Sequence, residues 1–281
     1  MSSSTQPRVK KSLGQHFLHR TDICERIVGL LALQQEDRLI EIGPGSGALT
    51  RELENAPHRL LLLLEKDSYW IAERSRSGAS VTLPVHMDAL HFDWGRITPE
   101  YPWKIVGNLP YNIASRLVWD IARKAAGLTK AVFMVQNEVG ERIAAPPANR
   151  HYGAISVWVQ SLTRPRLEFT VDREAFTPPP KVQSVVLSLE PLSLGKRPPY
   201  PSALARLLQI CFQQRRKQIG VIFKQSGFTE LVAALDILGI DPIRRPETLT
   251  PEEFQQLCDV VYCIPSSKKL KKIFAFENFL R

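Results

Sequence analysis

The chain has 281 residues, 44% of them hydrophobic and 23% charged, with a formal net charge of +9. That length and apolar content exclude a disordered or collagen-like chain and allow one large domain plus a smaller one. Four scattered cysteines (24, 211, 258 and 263) exclude a disulfide scaffold, and no His or Cys cluster joins Cys258 and Cys263 to complete a metal site.

Charge is unevenly placed. Residues 1–20 hold four Lys/Arg and no acid, residues 21–190 nineteen against twenty Asp/Glu, and residues 191–281 fourteen against eight. A neutral body between two cationic ends suits an enzyme that binds a polyanion. Met1 to Lys11 is polar and basic and lacks the apolar core of a secretory signal. The longest nearly pure apolar run, Leu60 to Leu64, is far too short to cross a bilayer. A cytoplasmic protein with no membrane partner is expected.

In chain order, Thr21-Asp22 followed by Ile23, Ile27, Leu30 and Leu31 predicts a capped amphipathic helix. Arg38 to Ile42 predicts a strand, followed by a glycine-rich turn and a helix from about Ala48 to Glu54. Leu60 to Leu64 has the continuous apolar character of a parallel strand covered on both faces. A helix over Ser68 to Arg76, short strands at Val81 to Val85 and Lys104 to Val106, a helix over Ala114 to Ala125 and a buried strand at Ala131 to Val135 follow. This alternation predicts an α/β fold with a doubly wound, Rossmann-like sheet. Leu167 to Val171 and Val182 to Leu189 have no long helix between them and suggest a late antiparallel pair.

Gly195 to Pro201, with three prolines, marks a linker. Helical patterns at Leu204 to Phe223, Leu231 to Leu238 and Pro251 to Val261 then predict a small C-terminal helical domain. The expected division is a basic arm (1–20), a catalytic domain (21–195), a helical polyanion-binding domain (196–265) and a basic tail (266–281).

Glu41-Ile-Gly43-Pro-Gly45-Ser-Gly47 lies between a predicted strand and helix. Glycines there let backbone N–H groups approach a ligand closely. Glu65 ends the next strand, where a carboxylate can accept from two ribose hydroxyls, and Asp88 follows the third strand, where it can accept from an adenine amine. A glycine turn alone is weak evidence, with a plain turn and an NAD site as rivals. The G-x-G-x-G spacing with Glu65 and Asp88 points instead to S-adenosylmethionine.

Val106-Gly-Asn108-Leu109-Pro110-Tyr111-Asn112 follows the fourth strand. An adenine N6 amine is a poor nucleophile because its lone pair is delocalised into the ring. The Asn108 side-chain oxygen and the Leu109 carbonyl can hold both amine hydrogens, Pro110 fixes the turn, and Tyr111 offers a flat face to the base. An ordinary Asn-Pro turn is the rival reading. Phe176, ahead of Pro178-Pro179-Pro180, is a candidate for the opposite face of the base, with a core aromatic as its rival. Lys181 is a candidate phosphate contact.

These residues resemble the small-subunit ribosomal RNA adenine N6,N6-dimethyltransferases, the bacterial family linked to kasugamycin sensitivity. The likeness runs from about Lys11 to Pro191 through Gly14-Gln15-His16-Phe17-Leu18, Glu41 to Gly45, Glu65, Asp88, Asn108 to Tyr111, Tyr152 to Val157 and Phe176 to Ser184. The resemblance implies that His16 and Leu18 line the cofactor pocket, that Gly43 with Gly45 meets the amino-acid end, Glu65 the ribose and Asp88 the adenine, and that Asn108 bridges cofactor and target. It further implies a monomer acting on 16S rRNA in the immature small subunit. There, two adjacent adenosines near the 3′ end each receive two methyls, as an assembly checkpoint. Arg215, Arg216 and Lys217 resemble the family's basic helix. His16 stands where Asn is frequent and Asn137 where Lys is common, and the tail from Ser266 to Arg281 has no counterpart. A DNA adenine methylase, more often carrying Asp-Pro-Pro-Tyr, and a non-catalytic assembly or transcription factor remain rival readings.

Overall fold

A computed structural model describes residues 15–77, 81–227 and 229–263. The basic tail 266–281 and most of the expected basic arm lie outside the described residues. The chain divides into two units. The first runs to Gly140 and resumes over Arg164–Pro191, and the second takes Glu141–Thr163 and the chain from Leu192 onward. The second boundary falls beside the expected linker. The segment 141–163, placed by the sequence within the larger domain, groups with the helical unit instead.

The first unit is built on a seven-stranded sheet. Its strands are β2 (Arg38–Ile42), β3 (Leu60–Glu65), β4 (Thr82–His86), β5 (Trp103–Asn108), β6 (Leu128–Gln136), β7 (Thr163–Val171) and β9 (Ser184–Pro191), in the order β4-β3-β2-β5-β6-β9-β7. The first five strands run parallel and β9 pairs antiparallel with β6. Helices α1 (Thr21–Leu30), α2 (Ala48–Asn55), α3 (Ser68–Ser77) and α4 (Ala114–Lys124) connect the parallel strands or precede them. Leu39, Leu61, Leu63, Val106 and Val132 are buried in one core with Ile27 of α1 and Leu53 of α2, and Ile40, Leu64, Ala131 and Phe133, at the alternate positions, are buried too; burial of both faces explains the apolar runs of β3 and β6.

Chain order reverses at β2, which has β3 on one side and β5 on the other. Such a switch point opens a crevice beyond the carboxyl ends of the strands. Register brings the site residues level: Ile42 pairs with Leu64 and with Gly107, so Gly43, Glu65 and Asn108 emerge side by side. The approach of β5 to β2 is close enough that a Cβ on Gly107 would lie 2.6 Å from the Ile42 carbonyl oxygen. Glycine is required there for packing alone. A separate ribbon pairs β1 (Phe17–Leu18) with β8 (Phe176–Thr177), Phe17 facing Thr177 and Leu18 facing Phe176.

The second unit contains α6 (Ala154–Leu162), α7 (Pro201–Gln213), α8 (Ile219–Ser226), α9 (Thr229–Ile237) and α10 (Pro251–Cys263). Helix α5 (Asn137–Ala144) crosses the division. The single helix expected from Leu204 to Phe223 is two helices. Gln214 leaves the helical region at φ −126°, and α8 starts where the Ile219 and Gly220 amides donate to the Arg244 and Pro242 carbonyls at 2.7 and 2.9 Å. Arg215 and Arg216 therefore lie on a turn with Lys217 just beyond it, not on a basic helix. Among the described residues no helix is long and apolar enough to cross a membrane.

Candidate active site

The crevice at the switch point is a cavity lined by four groups of residues. The glycine turn contributes Gly43 and Gly45; the ends of β3 and β4 contribute Glu65, Lys66 and Asp88. Asn108, Leu109, Pro110 and Tyr111 follow β5, and Gln15 to Leu18 close the cavity from the N-terminal side. All seven cofactor residues expected from sequence meet here, although they span ninety-two positions of the chain from His16 to Asn108.

Gly43, Gly45 and Gly47 all have positive φ (68°, 47° and 79°), a conformation costly for residues with a Cβ. At Gly45 a Cβ would also lie 2.8 Å from the Phe17 ring. The arm packs directly on the turn. Beneath the turn Glu41 is buried and accepts a hydrogen bond from the Thr50 hydroxyl at 2.7 Å. Burial pushes its carboxyl up to about 8, although Thr50 and Arg74 oppose the rise.

That shift has a consequence for stability. The folded value lies above the ordinary 4.5, so the contribution is complete below about pH 4.5 and is lost as pH rises through about 8. Glu41→Gln removes the charge and keeps an acceptor for Thr50. We expect thermal denaturation of this variant to fall off less between pH 5 and pH 8.5, leaving it more stable than wild type at pH 8.5 by on the order of a few kcal/mol. Parallel pH profiles for the two proteins would count against a buried, titrating Glu41.

Glu65 is 7% exposed. Its Oε1 accepts the Asp67 amide at 2.8 Å and its Oε2 the Gly45 amide at 3.2 Å. Burial raises its pKa and these two amides counter the rise. Each oxygen keeps a lone pair for a ligand hydroxyl, while the same carboxylate ties the glycine turn to the end of β3. Asp88 accepts from Lys66 Nζ at 2.8 Å and from the Leu90 amide at 3.0 Å. Burial works against its charge, but these bonds prevail and its pKa is lowered. It is a charged acceptor suited to an exocyclic amine. Two acids at successive strand ends and a glycine turn whose bare backbone lines the cavity fit an adenosine-bearing cofactor.

At the other end, the Asn108 amide nitrogen donates to the His16 carbonyl at 2.9 Å. A carbonyl only accepts, so this bond fixes which side-chain atom is nitrogen and leaves Oδ1 an acceptor with no hydrogen bond from the described residues. The Leu109 amide donates to the Met134 carbonyl at 3.0 Å, and the Pro110 carbonyl accepts from Ile113 and Ala114 at the start of α4. The turn is thus held from both sides. The Tyr111 hydroxyl lies 2.9 Å from Ser184 Oγ, and its ring stacks with His16 at 5.5 Å between centroids and 25° between planes. Burial raises the Tyr111 pKa against the opposing effect of Ser184. Ser184 was given no role by the sequence. Its distance from Tyr111 in the chain hid it.

Phe176 is a different case. It is 2% exposed and sits in the core with Leu18, its partner across the β1–β8 ribbon. It is not among the residues that line the cavity. Lys181 is exposed, three residues past the Pro178 carbonyl that accepts from His16 Nδ1 at 2.8 Å. Asn137 uses its backbone amide to bond the Gln183 carbonyl at 3.0 Å. Within the second unit Arg215 is committed: Nε bonds Glu247 at 2.7 Å and Nη2 the Arg150 carbonyl at 3.1 Å. Arg216 and Lys217 are exposed, and Lys217 Nζ reaches Gln225 at 2.9 Å.

A doubly wound sheet with this crevice, the Glu65–Asp88 pair and an open amide acceptor beside them defines a nucleoside-cofactor methyltransferase. The chain belongs to the ribosomal RNA adenine dimethylase family, whose model matches residues 6–262. The family's methyl donor is S-adenosylmethionine. The ribosomal RNA small subunit methyltransferase A of Nitratidesulfovibrio vulgaris (strain Hildenborough) is 48% identical over 258 residues, covering 91% of this chain and 97% of its own. The protein of the same name from Alcanivorax borkumensis is 36% identical over 261 residues, 90% of each chain. Among solved structures, a dimethyladenosine transferase from Plasmodium falciparum superposes with a TM-score of 0.75 at 24% identity, over 86% of this chain and 96% of its own. The 23S rRNA methyltransferase ErmE gives 0.65 at 24% identity, over 87% and 98%. These two structures show the shared fold.

Proposed function

We propose that this enzyme dimethylates N6 of two adjacent adenosines in a loop near the 3′ end of 16S rRNA, acting as a monomer on the immature small subunit in the cytoplasm. The observation that carries the reading is the commitment of the Asn108 nitrogen to the His16 carbonyl, which leaves Oδ1 free for an amine. S-adenosylmethionine, when bound, supplies an electrophilic methyl group. Glu65 and Asp88 would hold its ribose and adenine. Asn108 Oδ1 and the Leu109 carbonyl accept the two N6 hydrogens and favour a pyramidal nitrogen with its lone pair available. Alignment is then the main source of rate, and no strong base is required.

The target base must leave its stack, which costs least in a single-stranded loop. Exposed Lys181, Arg216 and Lys217 would add salt-dependent contacts to phosphates. The direct test is incubation with labelled S-adenosylmethionine and small subunits from a methylation-deficient strain, followed by nucleoside analysis. N6,N6-dimethyladenosine at two neighbouring positions is expected. Its absence from competent subunits would overturn the reading, and monomethyladenosine in DNA would replace it with the DNA methylase.

The RNA contacts carry their own expectation. The double variant Arg216→Glu, Lys217→Glu should bind small subunits about tenfold more weakly, with a salt slope smaller by about two, at unchanged cofactor affinity. Arg215 is a poor probe because its loss leaves Glu247 unpaired within the helical unit. Filter binding across a salt series separates these effects, and equal loss of cofactor and subunit binding would contradict the assignment.

A further inference from the structure

We propose that helix α3 latches the N-terminal arm over the cavity, and that Trp70 is a positioning residue that acts through Phe17 on both the cofactor and Asn108. The proposal rests on the assignment of S-adenosylmethionine to this cavity. Gln15 to Leu18 form part of the cavity wall. Backbone pairing gives them little support, because the β1–β8 ribbon joins only Phe17 and Leu18 to two partners. A two-stranded ribbon is marginal without side-chain packing. Helix α3 supplies that packing.

Three residues of the α3 region hold the arm and the turn beneath it. Asp67, just before the helix, is buried. Its Oδ1 accepts the Tyr69 amide at 3.1 Å and so caps α3, while its Oδ2 accepts Gln15 Nε2 at 3.3 Å. Trp70 is 5% exposed. Its ring meets Phe17 edge to face, at 5.2 Å between centroids and 63° between planes, a favourable aromatic arrangement. Phe17 in turn lies on Gly45, where a Cβ would come within 2.8 Å of its ring. Arg74 is one helical turn beyond Trp70 and on the same face. It covers Gly47 so closely that a Cβ there would overlap the guanidinium. One face of α3 therefore backs the arm and the glycine turn together.

Trp70 is not among the residues that line the cavity, so it acts on the ligand through others. Its Nε1–H is buried and has no acceptor among the described residues. The indole thus holds Phe17 by shape and area, and a phenylalanine ring can do the same. Two links lead from Phe17 to the site. The neighbouring His16 carbonyl accepts the Asn108 amide at 2.9 Å, the bond that orients Asn108. Gly45, under the Phe17 ring, donates its amide to Glu65 at 3.2 Å. Releasing Phe17 from Trp70 frees the acceptor that orients Asn108 and uncovers the turn that Glu65 holds.

The experiment measures S-adenosylmethionine binding by calorimetry in the full chain and in Trp70→Ala, Trp70→Phe, Phe17→Ala and the double variant Trp70→Ala, Phe17→Ala. Trp70→Ala should weaken affinity about tenfold, the scale of one lost aromatic pair, and Trp70→Phe should restore it to within about twofold of wild type. Partial unfolding would instead lower the binding stoichiometry, which calorimetry reads separately. The double variant should bind no more weakly than the weaker single variant, since both changes break one contact. Hydrogen exchange of residues 15–19 should quicken in Trp70→Ala while β2 and β3 keep their protection. Unchanged affinity in Trp70→Ala, no rescue by phenylalanine, fully additive losses, or unchanged exchange in the arm would each overturn the proposal and leave the cofactor assignment standing. Failure of wild type to bind S-adenosylmethionine overturns the assignment and the proposal with it. Should Trp70→Ala not fold, Trp70→Leu, which keeps apolar volume but no ring, takes its place in the same cycle.

Discussion

Asn108→Ala should lower the rate of methyl transfer about a thousandfold while weakening cofactor affinity by less than about tenfold, because it removes alignment rather than binding. The substitution deletes the open Oδ1 that would accept one N6 hydrogen. It also deletes the donor to the His16 carbonyl at 2.9 Å, which accounts for the smaller loss in cofactor binding. Asn108→Asp gives a sharper comparison. It keeps the size and an acceptor, but presents a carboxylate oxygen to the His16 carbonyl, two acceptors facing each other. We expect this variant to detach the arm and to weaken cofactor binding more than Asn108→Ala does. Single-turnover rates with saturating cofactor, together with calorimetric affinities, separate the two effects. A full single-turnover rate in Asn108→Ala would remove Asn108 from the chemistry.

The parts of this site that could be read from the sequence are those where one residue type serves one local need. The glycines must adopt positive φ at a strand-to-helix turn, and acids at strand ends face the crevice, so Gly43, Gly45, Glu65 and Asp88 were legible from position alone. Strand-length apolar runs such as Leu60 to Leu64 gave the parallel core for the same reason. The N-terminal residues were legible only through family resemblance. Nothing in Gln15 to Leu18 predicts a ribbon with residues some 160 positions later, and that ribbon brings Phe17 and Leu18 to the cavity wall and packs Phe176 beside Leu18. Ser184 was hidden likewise, since its role depends on β9 lying in the same unit as the turn after β5. The split of the expected helix at 214–218 came from close packing of Gly220 on Pro242, where a Cβ would lie 2.8 Å from the proline Cβ. The helical periodicity continues through that break, so only tertiary contact could reveal it.

The second large effect concerns Glu65. Glu65→Ala should weaken S-adenosylmethionine binding about a hundredfold, the loss of two charge-assisted bonds to ribose hydroxyls at roughly 1.5 kcal/mol each. Glu65→Gln should be almost as damaging, which a simple charge argument does not anticipate. Both carboxylate oxygens already accept backbone amides, from Asp67 at 2.8 Å and from Gly45 at 3.2 Å. A glutamine has one acceptor oxygen, so its NH₂ must face one of these N–H groups. The turn or the start of α3 then shifts, or a buried donor is left unpaired at a cost of about 1–3 kcal/mol. A ligand cycle isolates the ribose contribution from this displacement of the turn. The affinity lost on removing the ribose hydroxyls from the cofactor should be large in wild type and nearly absent in Glu65→Ala. If both proteins lose affinity equally for the deoxy analogue, the hydroxyls are held elsewhere. Glu65 would then serve only to tie the Gly45 amide to the end of β3.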